Sequence, residues 1–337
     1  MNITCADIEK NDYQYALVGY GNGCISIYDT DRIEEKAVYP SVGMINRATG
    51  GSHEYSVDCV QWYPHDTGMF MSLSSDKSLK VWDTNELSVA ETFRFEHDVY
   101  SFHISQRSRK HSTVAVCCKD TNIYMCDLKT GSKSHTLRGH TGAVYAVKWS
   151  SRRENILCSA SSDGFVYMWD FRKVKSHLAS FVSKTIVPNA GQSAHQGPVT
   201  GLQFTNDGLK LISYGGDGLK LWDCVEMCDS GVVFDGGVHN TTRRTVQMDM
   251  TRHATPHDMV CVPSGGGDVK LCDVVSGSVV GSLSGGHFMD VTCCVCNPVK
   301  CEVYTGSTDG QFLVWDYQVD SLPGSNPFCT NNWSDDD

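Results

Sequence analysis

A short apolar run that ends in an aromatic residue or a cysteine followed by aspartate occurs seven times along this chain. The seven dipeptides are Tyr28-Asp29, Trp82-Asp83, Cys126-Asp127, Trp169-Asp170, Trp222-Asp223, Cys272-Asp273 and Trp315-Asp316. Successive aspartates lie 54, 44, 43, 53, 50 and 43 residues apart. A repeat of about 40 to 45 residues is typical of β-propeller blades, each of which is a small antiparallel sheet. The spacing therefore predicts seven blades, with the extra residues of the longer repeats in loops.

Three further positions recur at nearly fixed distances from the tryptophan in four of these repeats. An aspartate precedes the tryptophan by five or six residues, a serine or threonine by nine or ten, and a histidine by 27 to 29. The four sets are His53, Ser72, Asp76 and Trp82; His140, Ser159, Asp163 and Trp169; His195, Ser213, Asp217 and Trp222; and His287, Thr305, Asp309 and Trp315. Together with the Trp-Asp dipeptide, this pattern indicates a WD repeat.

The four residue types can form one buried chain of hydrogen bonds, because each donor finds an acceptor within the set. We expect histidine in the loop entering the blade, the hydroxyl on the second strand, aspartate in the next turn and tryptophan on the third strand. The three repeats without tryptophan carry Val18, Val116 and Val262 at the hydroxyl position, so the network is lost as a whole. Histidine, serine and aspartate also form hydrolase triads, but four near-identical copies favour a structural role. We therefore expect no catalytic residue.

These repeats predict an all-β, seven-bladed WD-repeat β-propeller over residues 1–319, followed by a flexible acidic tail over residues 320–337. Three Asp-Gly pairs predict hairpin turns ahead of the third strand: Asp163-Gly164, Asp217-Gly218 and Asp309-Gly310. The first strand of the first blade is expected at Ile3 to Ile8, and no outer strand is evident for the last blade. Either residues 317–320 supply that strand, or closure is incomplete and an edge of the last blade is exposed.

Charge and composition argue against several classes of protein. The formal net charge is −11, from 28 basic and 39 acidic residues, so autonomous binding to DNA or RNA is not expected, because phosphate contacts need a basic surface. We interpret the basic segments 107–111, 152–153 and 243–244 as solvated loops. No apolar run reaches the roughly 18 residues of a membrane span, and the amino terminus lacks a basic and then apolar leader, so neither membrane insertion nor export is expected.

The sixteen cysteines are scattered along the predicted strands, which favours reduced thiols over a disulfide framework in a chain without an export signal. The densest cluster is Cys293, Cys294, Cys296 and Cys301, near His287. Zinc would require these ligands to converge, whereas the adjacent Cys293 and Cys294 point to opposite faces of a strand. We expect core packing at this cluster, and neither a metal site nor a cofactor.

The second repeat is more specific than a generic WD repeat. Residues 60–70 read Val-Gln-Trp-Tyr-Pro-His-Asp-Thr-Gly-Met-Phe. This run resembles the Cockayne syndrome A family of WD-repeat DNA excision repair proteins. Further similarity lies at residues 126–132, 194–209, 326–328 and 333–335, so the resemblance spans nearly the whole chain.

The resemblance implies a function. Members of that family are substrate receptors of a cullin-4 RING ubiquitin ligase and are held by its adaptor, the large damaged-DNA-binding protein subunit. They act in transcription-coupled nucleotide excision repair when RNA polymerase II stalls. By resemblance the protein is nuclear, and its partners are that adaptor, RNA polymerase II and repair factors. Trp169, Asp170 and Arg172 match the family's adaptor-docking pattern, Trp-Asp-x-Arg, in which arginine offers a planar fork of hydrogen-bond donors.

The sequence leaves two points open, the start of the chain and the function. Family members carry a helical segment ahead of the first blade that contributes to adaptor binding, whereas this sequence begins at the first strand. An alternative translation start and an incomplete gene model both fit that difference. For the function, the alternative to a ligase receptor is a general WD-repeat scaffold in another nuclear complex, such as one in RNA processing. The same rigid disc hosts many functions, so the fold does not decide between them.

Overall fold

The computed structural model describes residues 1–32, 39–108, 112–173, 176–183, 193–234, 238, 240, 245–251 and 258–316. Strands and their connections make up these residues, and no α-helix occurs among them. Accordingly, none of the described segments is a helix long and apolar enough to cross a membrane. The predicted acidic tail, residues 320–337, lies outside the described residues.

The strands form seven consecutive antiparallel sheets, which are the seven blades. In chain order they are β1 (Ile3–Ile8), β2 (Tyr15–Tyr20), β3 (Ile25–Asp29) and β4 (Ser41–Ile45) in blade 1; β5 (Val57–Trp62), β6 (Met69–Ser74), β7 (Ser78–Asp83) and β8 (Ser88–Arg94) in blade 2; β9 (Val99–Ile104), β10 (Thr113–Cys118), β11 (Asn122–Asp127) and β12 (Ser132–Arg138) in blade 3; β13 (Val144–Trp149), β14 (Ile156–Ser161), β15 (Val166–Asp170) and β16 (Ala179–Phe181) in blade 4; β17 (Val199–Phe204), β18 (Lys210–Gly215), β19 (Gly218–Asp223) and β20 (Cys228–Asp229) in blade 5; β21 (Asp249–Met250), β22 (Met259–Pro263), β23 (Val269–Asp273) and β24 (Val279–Leu283) in blade 6; and β25 (Val291–Asn297), β26 (Glu302–Ser307) and β27 (Phe312–Asp316) in blade 7. The predicted seven-bladed, all-β propeller is confirmed.

Burial within a blade follows the position of each strand. The second and third strands are covered on both faces by neighbouring blades, which favours apolar residues along most of their length. In blade 4, every residue of β14 and β15 is buried. The fourth strand lies at the outer circumference of the disc, and in blade 3 most residues of β12 are exposed. Each blade therefore grades from an apolar interior to a polar outer edge.

The predicted hairpin turns lie between the second and third strands. Their glycines adopt a positive φ that residues with a Cβ rarely reach: Gly164 (80°), Gly218 (99°) and Gly310 (87°). In blade 5, Gly215 pairs with Gly218 across two residues, whereas in blade 2 Ser74 pairs with Ser78 across three. The shorter turn of blade 5 explains why Trp222 follows its aspartate and serine one residue sooner than in the other repeats.

Blade 7 meets blade 1 through side-chain packing rather than through a shared sheet. Ile3 and Ile8 of β1 form an apolar core with Cys293 and Tyr304 of blade 7. The Thr292 hydroxyl also donates a hydrogen bond of 3.0 Å to the carbonyl of Ile3. These contacts close the ring in the described part of the chain.

Blade 7 has three strands among the described residues, whereas the other six blades have four. Four of the five residues of β27 are half-buried, while the equivalent strand of blade 4, β15, is buried throughout and pairs with β16. Residues 317–320, one of the two alternatives for the outer strand, lie outside the described residues. The outer side of β27 is thus unpaired within the part of the blade that the structure describes.

Candidate functional site

The recurring histidine, serine, aspartate and tryptophan of blade 2 form a connected hydrogen-bond network. His53 precedes β5, Ser72 lies on β6, Asp76 lies in the following turn and Trp82 lies on β7. His53 Nε2 is 2.7 Å from Ser72 Oγ, and His53 Nδ1 is 2.7 Å from Asp76 Oδ2. Trp82 Nε1 lies 2.7 Å from the same Ser72 Oγ. We call this set of four side chains a tetrad.

The same tetrad forms in blades 4, 5 and 7. The hydroxyl oxygens of Ser159, Ser213 and Thr305 lie 2.8, 2.6 and 2.7 Å from histidine Nε2. They also lie 2.8, 2.8 and 2.7 Å from tryptophan Nε1. The histidine Nδ1 atoms contact carboxylates in the pairs His140–Asp163 (3.1 Å), His195–Asp217 and His287–Asp309 (3.4 Å). The structure thus brings all sixteen of these residues together in four sets.

The direction of the hydrogen bonds follows from the chemistry of the groups. Tryptophan Nε1 can only donate, and an ionised carboxylate can only accept. Ser72 therefore accepts from Trp82 and donates to Nε2 of a neutral His53, whose Nδ1–H donates to Asp76. Burial lowers the pKa of His53 below its ordinary value of 6.5, which keeps the ring neutral. Burial by itself would raise the pKa of Asp76, but hydrogen bonds from the His53 ring and the Ser78 hydroxyl lower it overall.

The tetrads are built for stability rather than for nucleophilic attack. A histidine between a hydroxyl and a carboxylate is also the geometry of a hydrolase triad, in which the hydroxyl must reach a substrate. The hydroxyl residues Ser72, Ser159, Ser213 and Thr305 have no solvent exposure. Their oxygen atoms already accept a hydrogen bond from tryptophan. A fully satisfied buried network of this kind holds its strands and turn in one arrangement.

The three remaining blades share the strand register of the tetrad blades but lack the network. In blade 2, Ser72 pairs with Lys80, two residues before Trp82. A buried valine takes the place of the hydroxyl in blades 1, 3 and 6 and pairs with the residue two before the closing tyrosine or cysteine: Val18 with Ser26, Val116 with Tyr124 and Val262 with Lys270. The valines therefore occupy the hydroxyl position in space as well as in sequence.

Of the three residues in the predicted adaptor-docking pattern, Arg172 presents its side chain to solvent. Trp169 is buried in the tetrad of blade 4, and the side chain of Asp170 is 6% exposed. The Arg172 side chain is 61% exposed, and its Nε and Nη2 atoms lie 2.9 and 2.6 Å from the two carboxylate oxygens of Asp170. This hydrogen-bonded fork lowers the pKa of Asp170 and fixes the orientation of the guanidinium.

Some of the basic segments noted in the sequence lie at the same end of the blades as Arg172, and we call this surface the rim. Arg107, Arg152 and Arg153 occupy connections between first and second strands, and Arg172 follows a third strand, so a meander places them at one end of their blades. Arg107 Nε donates to the carbonyl of Ser151 at 2.8 Å, which joins blades 3 and 4. Arg152 and Arg153 are exposed. Residues 109–111 and 243–244 lie outside the described residues.

The described cysteines are free thiols, and most are buried. Cys293 packs in the core between blades 7 and 1, whereas the Sγ atom of Cys294 contacts the Cys261 carbonyl of blade 6. Cys293 and Cys296 have the three-residue separation of many zinc ligands, but Cys296 Sγ points to Cys261 Sγ, 3.5 Å away. Burial raises the pKa of Cys293 to about 12. No cluster of three or more potential metal ligands occurs among the described residues.

Sequence reasoning missed a second recurring position, on the innermost strand of every blade. This position pairs with a residue of the second strand, the one just before the tetrad serine or threonine or before the valine that replaces it. From blade 1 to blade 7 it carries Asp7, Gln61, His103, Lys148, Gln203, Asp249 and Val295, which we call the channel ring. Six of the seven residues are polar, and these six line a cavity of about 370 Å³ between the innermost strands. Alignment of the innermost strands on the tetrads would have revealed this polar position.

Four members of the channel ring accept a backbone hydrogen bond from the next blade. The backbone N–H groups of Trp62, Ile104 and Trp149 donate to the ring residues of the preceding blades at 2.8, 3.1 and 3.0 Å. Their acceptors are Asp7 Oδ2, Gln61 Oε1 and His103 Nδ1. The N–H of Cys296 donates in the same way to Asp249 Oδ2 at 3.1 Å. These bonds stabilise the disc along its axis.

Seven blades, buried tetrads and closing Trp-Asp dipeptides define this protein as a WD-repeat β-propeller. A family model described as WD domain, G-beta repeat matches residues 47–83, 131–170 and 277–316. The three matched segments end at the closing aspartates of blades 2, 4 and 7, each of which contains a tetrad.

The chain is related to WD repeat-containing protein ATCSA-1 of Arabidopsis thaliana. The two are 26% identical over an alignment that covers 93% of this chain and 85% of the relative. Radiation-sensitive protein 28 of Saccharomyces cerevisiae is 24% identical over 52% of this chain and 40% of that protein. Ribosome biogenesis protein YTM1 of Coccidioides immitis is 28% identical over 51% of this chain and 34% of that protein. The similarity to ATCSA-1 thus extends over most of both chains, whereas the alignments with the other two proteins cover about half of this chain.

Proposed function

We propose that this protein is a non-catalytic substrate-recognition subunit of a cullin-4 RING ubiquitin ligase. In this proposal it acts in the nucleus, in transcription-coupled nucleotide excision repair at stalled RNA polymerase II. The observation that carries the proposal is the match to ATCSA-1 over 93% of the chain, which agrees with the resemblance of residues 60–70 to the Cockayne syndrome A family. Radiation-sensitive protein 28, a further relative, is by its name also linked to the response to radiation.

The exposed guanidinium of Arg172 supports a docking role for blade 4. A flexible arginine side chain would lose conformational entropy on binding. The two hydrogen bonds to the Asp170 carboxylate, however, already orient Arg172 before any partner arrives. Asp170 is in turn held at the end of a strand whose neighbour, Trp169, belongs to a tetrad. In this proposal the adaptor contacts Arg172, while Trp169 and Asp170 position it.

A docking role also fits the buried polar groups and the charge. The tetrad hydroxyls are closed to substrates, so ubiquitin transfer would be performed by other subunits of the ligase. The net charge of −11 makes direct binding to DNA unfavourable, so contact with a damaged template would be made through protein partners.

The class of function is tested by affinity purification of the tagged protein from cells with and without ultraviolet irradiation. We expect recovery of the cullin-4 adaptor under both conditions and of RNA polymerase II subunits after irradiation. Recovery of neither, with a folded bait at normal abundance, would contradict the proposal.

The role of Arg172 is tested by the Arg172→Ala substitution, with Arg153→Ala as the matched control on the same rim of blade 4. We expect Arg172→Ala to weaken adaptor capture by about tenfold, as for loss of a charged hydrogen bond, and to leave the thermal midpoint close to that of the parent. Arg153→Ala should change neither. Equal capture by the Arg172→Ala variant and the parent would remove Arg172 from the interface.

A second candidate is a scaffold in ribosome assembly or another branch of RNA processing. The similarity to proteins named as ribosome biogenesis factors, such as YTM1, favours it. The same purification distinguishes the two candidates, because pre-ribosomal or splicing partners without the cullin adaptor would support the scaffold.

A further inference from the structure

The innermost strand of blade 6 is shorter than the six strands that correspond to it. β21 comprises Asp249 and Met250, which pair with β22, whereas the innermost strands of the other blades comprise six or seven residues. In those blades, pairing with the second strand includes the residue two positions before the channel-ring residue. In blade 6 that residue is Gln247, and it forms its β-bridge with blade 7 instead.

A proline in β22 accounts for the short strand. In the other blades, the second-strand residue at this position carries a backbone N–H; these residues are Gly19, Leu73, Cys117, Ala160, Tyr214 and Gly306. Its equivalent in blade 6 is Pro263, which has no N–H to donate. The N–H of the next residue, Ser264, donates to the carbonyl of Asp268 on the side of the third strand. Because the backbone groups of successive residues in a strand alternate in direction, the missing donor of Pro263 is on the side of the innermost strand.

Gln247 bonds blade 7 with its backbone and blade 1 with its side chain. Its N–H donates to the carbonyl of Thr292 at 3.4 Å, and its carbonyl accepts the N–H of Cys294 at 3.2 Å. Its Oε1 accepts the N–H of Ala6 at 3.3 Å, and its Nε2 donates to the carbonyl of the same Ala6. The side-chain amide therefore pairs with β1 as the peptide group of a neighbouring strand would.

The two residues before Gln247 contact the other side of the ring. The N–H of Val246 donates to the carbonyl of Thr200 in blade 5 at 3.2 Å, and the Thr245 hydroxyl donates to the carbonyl of Tyr145 in blade 4 at 3.1 Å. Both carbonyls belong to the second residue of an innermost strand. Residues 245–247 thus cross the channel near the end at which the innermost strands begin, and we call them the strap.

The strap spans the junction at which the ring closes. Consecutive blades are tethered by the chain itself, whereas Ala6 of blade 1 and Gln247 are 241 residues apart. We propose that the strap is a clasp on this junction: Gln247 holds blade 1 against blade 7, and its release is the first step by which the ring opens. The strap lies at the opposite end of the blades from the rim, so the proposal is independent of the function proposed above.

The test is native-state hydrogen exchange, measured by NMR at single amides of the full chain, in the Gln247→Met variant. Methionine keeps the length of the side chain but cannot replace either bond of the amide to Ala6. We expect the Ala6 amide to exchange at least about tenfold faster, because it loses its acceptor. The increase should extend to the other amides of β1 and β25, because the two strands separate together when the clasp is released.

The matched control is Gln61→Met. Gln61 Oε1 accepts the N–H of Ile104 at 3.1 Å between blades 2 and 3, which are consecutive along the chain. In this variant we expect faster exchange at the Ile104 amide alone.

Two results would overturn the clasp. The first is an increase confined to the Ala6 amide in Gln247→Met, since Gln247 would then form a local bond with no effect on the junction. The second is an equally wide increase across blades 2 and 3 in Gln61→Met. If Gln247→Met does not fold, Gln247→Glu keeps an acceptor for the N–H of Ala6 and removes the donor to its carbonyl. That variant should show a smaller increase over the same two strands, and unchanged exchange there would also contradict the proposal.

Discussion

Blades 2, 4, 5 and 7 and blades 1, 3 and 6 solve the same packing problem in two ways. All seven use one strand register, with the tetrad hydroxyl or its valine at an equivalent buried position of the second strand. Four blades fill the space with a complete hydrogen-bond network, and three fill it with apolar groups. No described blade has a buried hydroxyl at this position without its histidine, aspartate and tryptophan. The comparison teaches that a buried polar network is kept whole or replaced whole, because a partial one leaves groups unsatisfied.

Blade 7 lies between the two groups. Its tetrad is complete, but His287 Nδ1 is 3.4 Å from Asp309, compared with 2.7 Å for His53 and Asp76 in blade 2. Trp315 is half-buried, whereas the other three tetrad tryptophans are buried. In blade 2 the tryptophan, Trp82, pairs with Val89 of the outer strand, whereas the described part of blade 7 contains three strands.

The largest effect is expected from removing a tetrad tryptophan. Trp222→Ala should lower the free energy of unfolding by about 3 to 5 kcal/mol, because it leaves a large cavity and strands the Ser213 hydroxyl. The matched change in a blade without a tetrad, Cys272→Ala, removes a much smaller buried group and should cost far less. Denaturant unfolding measures both. Similar losses in the two variants would break the comparison between the two groups of blades.

A smaller loss is expected when the carboxylate of a tetrad is removed. Asp163→Ala strands His140 and should lower the free energy of unfolding by about 1 to 3 kcal/mol. Asp120 of blade 3 has the same spacing before Cys126 but bonds Asn122 and the Tyr124 hydroxyl instead of a histidine. Asp120→Ala is therefore the control, with an expected loss of about 1 kcal/mol or less. If Asp163→Ala melts like the parent, the tetrad does not stabilise blade 4.

Adding a hydroxyl to a valine blade tests the rule in the opposite direction. Val116→Thr keeps the shape of the side chain but buries a hydroxyl with none of the tetrad partners, so it should cost about 1 to 3 kcal/mol. The reverse change in blade 7, Thr305→Val, removes the hydroxyl from His287 and Trp315 and should also destabilise. A neutral Val116→Thr would show that the valine position tolerates an isolated polar group.

Mild acid should weaken the tetrads gradually, as the smallest of these effects. The folded-state pKa values of His53, His195 and His287 lie below the ordinary value of 6.5, because burial disfavours the charged ring. The unfolded chain thus binds more protons just below pH 6.5, and stability decreases as pH falls through this range. The lowered pKa of Asp163 adds a further loss below its ordinary value of 3.8. Denaturant unfolding between pH 8 and pH 5 checks the first step, and a flat profile would contradict it.

The tetrads could be predicted from spacing alone because a tight hairpin fixes the distance between the serine and tryptophan of neighbouring strands. Even the exception at Trp222 has a local cause in the shorter turn between Gly215 and Gly218. The channel ring was not predicted, because its members differ chemically and meet through the closure of the whole disc. The partner of Arg172 was also missed, although Asp170 stands two residues away, since an exposed arginine has many possible partners.

One paired measurement tests two statements together: the claim that the tetrads hold the blades, and the proposal that the exposed rim binds the adaptor. Asp163→Ala and Arg172→Ala change two residues of blade 4, one in the tetrad and one on the rim. Thermal midpoint and adaptor capture, measured below both midpoints, should separate completely. The Asp163 variant should melt earlier and still capture the adaptor, and the Arg172 variant should melt like the parent and lose capture. Loss of capture by the folded Asp163 variant, with capture retained by the Arg172 variant, would contradict the account.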